Sequence, residues 1–116
     1  MKFENIEDAK KELVKSVLAE YEATINGDDK LQEKNILRAF KINDYIKNNF
    51  DLKDLKDLLD YNHPKVQIWT AKLLLPIYED IALKVLDDIS KKGVAHCSSN
   101  ARIMYCEWTK QPITFL

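Results

Sequence analysis

Glycine and proline are scarce in this chain, with two and three of them among 116 residues. Sheets need turn residues at short intervals, so the shortage argues against an all-β fold and for helices joined by short loops. Cysteine is scarce as well. Cys97 and Cys106 are too few for a disulfide framework, and free thiols suit a cytoplasmic protein. No apolar run reaches 18 residues, which argues against a membrane-spanning helix. The opening Met1-Lys2-Phe3-Glu4-Asn5 lacks the apolar stretch of a signal peptide. A net charge of −1 gives little pull toward nucleic acid or an anionic membrane, and no run of five or six like charges forms a tail. Acidic residues lead slightly in the first half and basic residues in the second.

What is present is a balance of 46% hydrophobic and 32% charged residues, which suits a globular rather than a disordered chain. The length fits one domain over residues 1–116, able to bury roughly two-thirds of its unfolded surface without metals or disulfides.

The apolar spacing predicts about six helices. Ile6, Ala9, Leu13, Val17, Tyr21 and Ile25 follow the three-and-four rhythm of one helix face, with Asn5 as cap and Asn26-Gly27 as stop. A second helix is expected from Asp28 or Asp29, where Gln32 makes a variant of the capping box. Its stripe is Ile36, Ala39/Phe40, Asn43, Ile46 and Phe50, flanked by Leu37, Ile42 and Tyr45. Asn43 on the apolar side is expected to be satisfied at a helix–helix contact. A short α-helix is expected over 52–60, burying Leu52, Leu55, Leu58 and Leu59 behind a solvated Lys-Asp face.

Pro64 is well placed at the first position of a fourth helix, which is expected to bury Val66, Trp69/Thr70, Leu73 and Leu74 until Pro76 ends it. A fifth helix over 78–91 carries Ile81/Ala82, Val85/Leu86 and Ile89, and Gly93 closes it. Ser98 or Ser99 is expected to cap a sixth through Lys110, turning Ala101, Met104/Tyr105 and Trp108 inward. Pro112 bars further helix, and Ile113-Thr114-Phe115-Leu116 is expected to fold back onto the body.

Leu55 and Leu58-Leu59-Asp60 recur as Ala82 and Val85-Leu86-Asp87, displaced by 27 residues, and Ala71 with Leu74-Leu75 is echoed by Ala101 with Met104-Tyr105. Two hairpins of similar length in succession suggest stacked α-hairpin repeats. The run from Leu58 through Asp60-Tyr61-Asn62-His63-Pro64-Lys65-Val66 to Ala71-Lys72-Leu73-Leu74 resembles the centre of a HEAT repeat. In that motif an apolar helix, an Asp/His-Pro turn and small residues let paired helices approach closely. HEAT repeats often carry an arginine after the valine, where this chain has Gln67. More broadly, Tyr21–Asp28, His63-Pro64, Trp69, Ala71, Lys72, Ala101 and Glu107-Trp108-Thr109-Lys110 resemble a group of short bacterial HEAT-like proteins of unknown function. The resemblance implies an all-α fold of stacked antiparallel hairpins, an α-α superhelix. It places a long N-terminal helical hairpin over 1–50 and two HEAT-like hairpins over 51–110. It implies no catalytic residues.

No Gly-rich phosphate loop, no serine elbow and no Glu-x-x-His pair of the di-iron kind is present. His63, His96, Cys97, Cys106 and Glu107 are the candidates for a metal site, and His96 with Cys97 for a nucleophilic one. Cys97 and Cys106 are nine apart, on opposite sides if their stretch is helical, and packing is the expected role of both. Asp60 and His63 are expected to hydrogen-bond within their turn. No catalytic residue, cofactor or metal is therefore assigned.

Aromatic residues remain. Trp69, Tyr78, Tyr105 and Trp108 suit either a core or a binding surface, since Trp and Tyr dominate interface hot spots. In stacked hairpins the second helices line the inner face. That makes Lys65, Gln67, Ile68, Trp69, Lys72, Asn100, Arg102, Ile103 and Glu107 the candidate partner-binding residues. The leading expectation is a non-catalytic protein-interaction module, such as a toxin-neutralising protein or an adaptor, with another protein as its partner. The alternatives are a small metalloprotein or enzyme using His63, His96, Cys97 and Cys106, and a binder of nucleic-acid backbones.

Overall fold

The computed structural model describes residues 1–112, and the expected packing of Ile113–Leu116 lies outside them. Every regular element among the described residues is helical, five α-helices and one 3₁₀ helix, as the glycine-poor sequence requires. Contacts cluster in two compact units, Met1–Leu55 and Lys56–Leu116.

In the first unit, Asn5 is extended and its side-chain oxygen accepts the Asp8 backbone N–H at 2.9 Å. This starts α1 (Ile6–Asn26), with Glu7 and Asp8 favoured in the first turn by the helix dipole. Gly27 ends it at φ +70, where a side chain would strain the backbone, and its N–H closes onto the Ala23 and Thr24 carbonyls. Asp28 then caps α2 (Asp29–Asn49) by accepting the Leu31 N–H. Because Asp28 is the cap, Gln32 lies one residue too far on to complete a capping box. Its amide donates instead to Glu20 Oε1 across the hairpin, at 3.0 Å.

The helices are antiparallel, as three cross-links show. Glu20 meets Gln32, Glu12 meets Arg38, and the Phe3 carbonyl accepts the Tyr45 hydroxyl, so descending α1 means ascending α2. Ala9, Leu13, Val17 and Ala23 of α1 and Ala39, Ile42 and Ile46 of α2 are buried. The α2 stripe is therefore turned from the expected one: Ile42 is inside, whereas Leu37 and Phe40 are exposed. Asn43 is buried as expected, and its polar group has a partner.

Leu52–Asp60 is a 3₁₀ helix and not the expected α-helix. The sequence Leu-Lys-Asp-Leu-Lys-Asp-Leu repeats every third residue, and a 3₁₀ helix has three residues per turn. Leu52, Leu55 and Leu58 therefore eclipse along one line, where an α-helix would rotate them apart. Leu55, Leu58 and Leu59 are buried, and Lys53, Asp54, Lys56 and Asp57 face water.

In the second unit, His63 caps α3 (Pro64–Leu74): its Nδ1 accepts the Lys65 N–H at 3.1 Å, with Pro64 at the first helical position. Pro76 follows the end of α3, and the Ile77 and Tyr78 N–H groups close onto the Leu74 carbonyl. α4 (Glu79–Ser90) buries Ala82, Leu86 and Ile89, and Gly93 beyond it takes φ +66. α5 (Ser98–Thr109) has no side-chain cap. Ser98 Oγ instead accepts the Val94 N–H at 2.7 Å and donates to the Ile89 carbonyl at 2.8 Å, stapling the loop to α4. The Ser98–Ile89 bond and the Arg102–Asp87 pair make α4 and α5 antiparallel. α3 packs on α4, α4 on α5, and α3 also touches α5.

Candidate functional site

The residues expected to face a partner divide into three groups. Ile68 is 1% exposed, a core residue of α3, which removes it from any binding surface. α3 is buried on a broad arc that takes in Val66, Ile68, Thr70, Ala71 and Leu74, wider than a single stripe.

A second group is half-buried and engaged within the fold. Gln67 Nε2 donates to the Leu59 carbonyl at 2.9 Å, tying α3 to the end of the 3₁₀ helix. Asn100 Nδ2 donates to the His96 carbonyl, and Arg102 lies over the Tyr105 ring with its guanidinium 4.0 Å from Asp87. Lys65 offers its backbone to the His63 cap, Ile103 is half-buried, and Trp69 is half-buried with interactions of its own.

Lys72 and Glu107 form the third group: both are exposed, and both line one groove. Lys72 and Leu75 lie three residues apart at the end of α3. Met104, Glu107 and Trp108 follow the three-and-four spacing of one α5 face, so the two sets meet across the α3–α5 contact. The groove holds about 270 Å³ and opens to solvent. Leu75, 4% exposed, and half-buried Met104 supply apolar lining, while Trp108 remains 40% exposed. Neither Lys72 nor Glu107 makes a side-chain ion pair or hydrogen bond among the described residues. Nor does the Trp108 indole make a ring contact or hydrogen bond there. Met104 and Trp108 were expected to turn inward, whereas Met104 is half-buried and Trp108 exposed. That reading followed apolar spacing, which marks the apolar face of a helix without saying whether a neighbour covers it.

The residues weighed for metal or nucleophilic chemistry take structural positions. Cys97 and Cys106 form no disulfide among the described residues, and both are fully buried, the first preceding α5 and the second within it. His96 is exposed with φ +61 in the loop before α5. Burial, and then the neighbouring Lys65 charge, hold His63 below the usual histidine range. A neutral ring suits its capping role, because Nδ1 accepts a hydrogen bond only when unprotonated. Among the described residues no three His, Cys, Asp or Glu side chains gather in a way that could hold a metal ion. Nor is any helix among them long and apolar enough to cross a membrane.

Comparison with protein-family models, with characterised proteins and with solved structures finds no significant match.

Proposed function

We propose that this chain is a non-catalytic protein-interaction module, a cytoplasmic member of the short bacterial HEAT-like group that its sequence resembles. The supporting observation is Trp108. A tryptophan 40% exposed at an apolar groove, with no ring or hydrogen-bond partner among the described residues, leaves a large apolar surface uncompensated. Tryptophan is among the residues that contribute most to protein interfaces, and its two-torsion side chain loses little freedom on binding. The groove lies on α3 and α5, the second helices of successive hairpins, where a stacked-hairpin plan presents its inner face. Toxin neutralisation and adaptor function are two forms of this role, and both need a protein partner.

Affinity capture with the wild-type chain and with Trp108→Ala, under identical conditions, tests the reading. A partner held by the wild type and lost by the variant is the expected outcome. A chain that retains no protein at all contradicts it.

A further inference from the structure

We infer that the α3–α5 groove accepts one large apolar side chain of a peptide segment whose two flanks carry opposite charges. The inference rests on the interaction-module reading above and specifies the partner's chemistry.

Size is the first argument. Small-molecule sites hold roughly 300–1,000 Å³ and enclose most of their ligand. This groove holds about 270 Å³ and is open on one side, which suits a side chain projecting from a larger partner better than a cofactor. Chemistry is the second. Leu75, Met104 and the Trp108 ring offer apolar contact, and methionine adapts its shape to what it meets. Among the described residues the indole N–H has no acceptor, and it can donate to a peptide carbonyl.

Charge is the third argument, and it selects the occupant. Lys72 on α3 and Glu107 on α5 line the same groove without pairing with each other. A wholly acidic or wholly basic segment would satisfy one of them and be repelled by the other. A segment with an acidic residue on the α3 side and a basic residue on the α5 side satisfies both. Such rim charges set orientation and discrimination more than affinity.

The test uses fluorescence anisotropy of labelled ten-residue peptides with the full-length chain. Each peptide has a central leucine or phenylalanine, with glutamate on one flank and lysine on the other, in both orders. Controls carry a central serine, or flanks of a single sign. The inference expects saturable binding by the mixed-charge apolar peptides in one preferred order and none by the serine control. Trp108→Ala should weaken that binding roughly tenfold or more, and Lys72→Glu alone roughly two- to fivefold. The double variant Lys72→Glu/Glu107→Lys should reverse the preferred order, a result that a folding defect cannot produce.

Equal binding of single-sign and mixed peptides overturns the inference, as does binding unaffected by Trp108→Ala. Concentration-dependent self-association abolished by Trp108→Ala also overturns it, making a second copy the occupant. If no peptide binds while affinity capture still retains a partner insensitive to Trp108→Ala, this inference falls and the module reading stands on another surface. If capture fails too, both fall.

Discussion

Lys72 and Glu107 line one groove from two different helices, and their opposite charges do not pair. Since neither charge forms an ion pair among the described residues, removing either should cost little. Lys72→Gln and Glu107→Gln are each expected to leave unfolding free energy within about 0.5 kcal/mol of wild type, as urea titration would measure. A loss above roughly 1.5 kcal/mol would assign these side chains to the fold.

Trp108 and Leu86 should separate surface from core. Leu86 is fully buried in α4, so Leu86→Ala is expected to cost roughly 2–5 kcal/mol through lost transfer energy and a residual cavity. Trp108 is already 40% exposed, and Trp108→Ala should cost under about 1.5 kcal/mol despite removing a larger side chain. Paired melting curves decide the matter, and equal losses would place the Trp108 ring in the core.

The leucine line of the 3₁₀ helix makes a graded prediction. Leu55 is fully buried and Leu52 only partly, so Leu55→Ala should cost roughly 2–5 kcal/mol and Leu52→Ala clearly less. Alanine at Lys53 or Asp54, both exposed, should move stability by no more than about 0.5 kcal/mol. Denaturant unfolding of the four variants would reveal any departure from that order.

His63 gives the fold a pH dependence of predictable sign. Its pKa in the folded chain is depressed below the ordinary 6.5, first by burial and then by Lys65, so the unfolded chain holds this proton more tightly. The stability linked to this group is fully present above the unfolded value and is lost as pH falls through the lower folded one. His63→Asn retains a capping oxygen without titrating. Between about pH 8 and pH 5 the wild type should therefore lose more stability than His63→Asn. Parallel slopes for the two proteins would refute the link.

Much of the fold was legible because local chemistry and burial agree. Asn5, Gly27, Pro64 and Gly93 each act where backbone geometry demands them, and the all-α class follows from their spacing. The 3₁₀ helix was legible in principle. The three-residue repeat of Leu52–Leu58 is a different rhythm from the 3.6 of an α-helix, but seven residues of leucine spacing look alike on a quick reading. The echo between Leu55–Asp60 and Ala82–Asp87 likewise joins a 3₁₀ segment to an α-helix, so shared leucine spacing there does not mean shared geometry.

Other features depend on the partner of a surface, which no single helix encodes. Ile68 was placed on the binding face because second helices of stacked hairpins line the inner face, but α3 is buried over a wider arc than one stripe. Conversely Trp108 keeps 40% of its surface exposed at the groove, which its apolar spacing alone does not reveal. Lys72 and Glu107 lie on exposed helix faces. That they share a groove required coordinates.

The central claim, that this groove is where a partner docks, is tested most directly by amide NMR of the full chain titrated with the mixed-charge apolar peptide. The two tryptophans give two indole N–H signals, and one of them belongs to Trp108. The account predicts that the Trp108 indole moves on titration, together with the backbone amides of Lys72, Leu75, Met104 and Glu107, while α1 and α2 stay still. Shifts centred on α1 and α2, with the Trp108 indole unmoved, would contradict it.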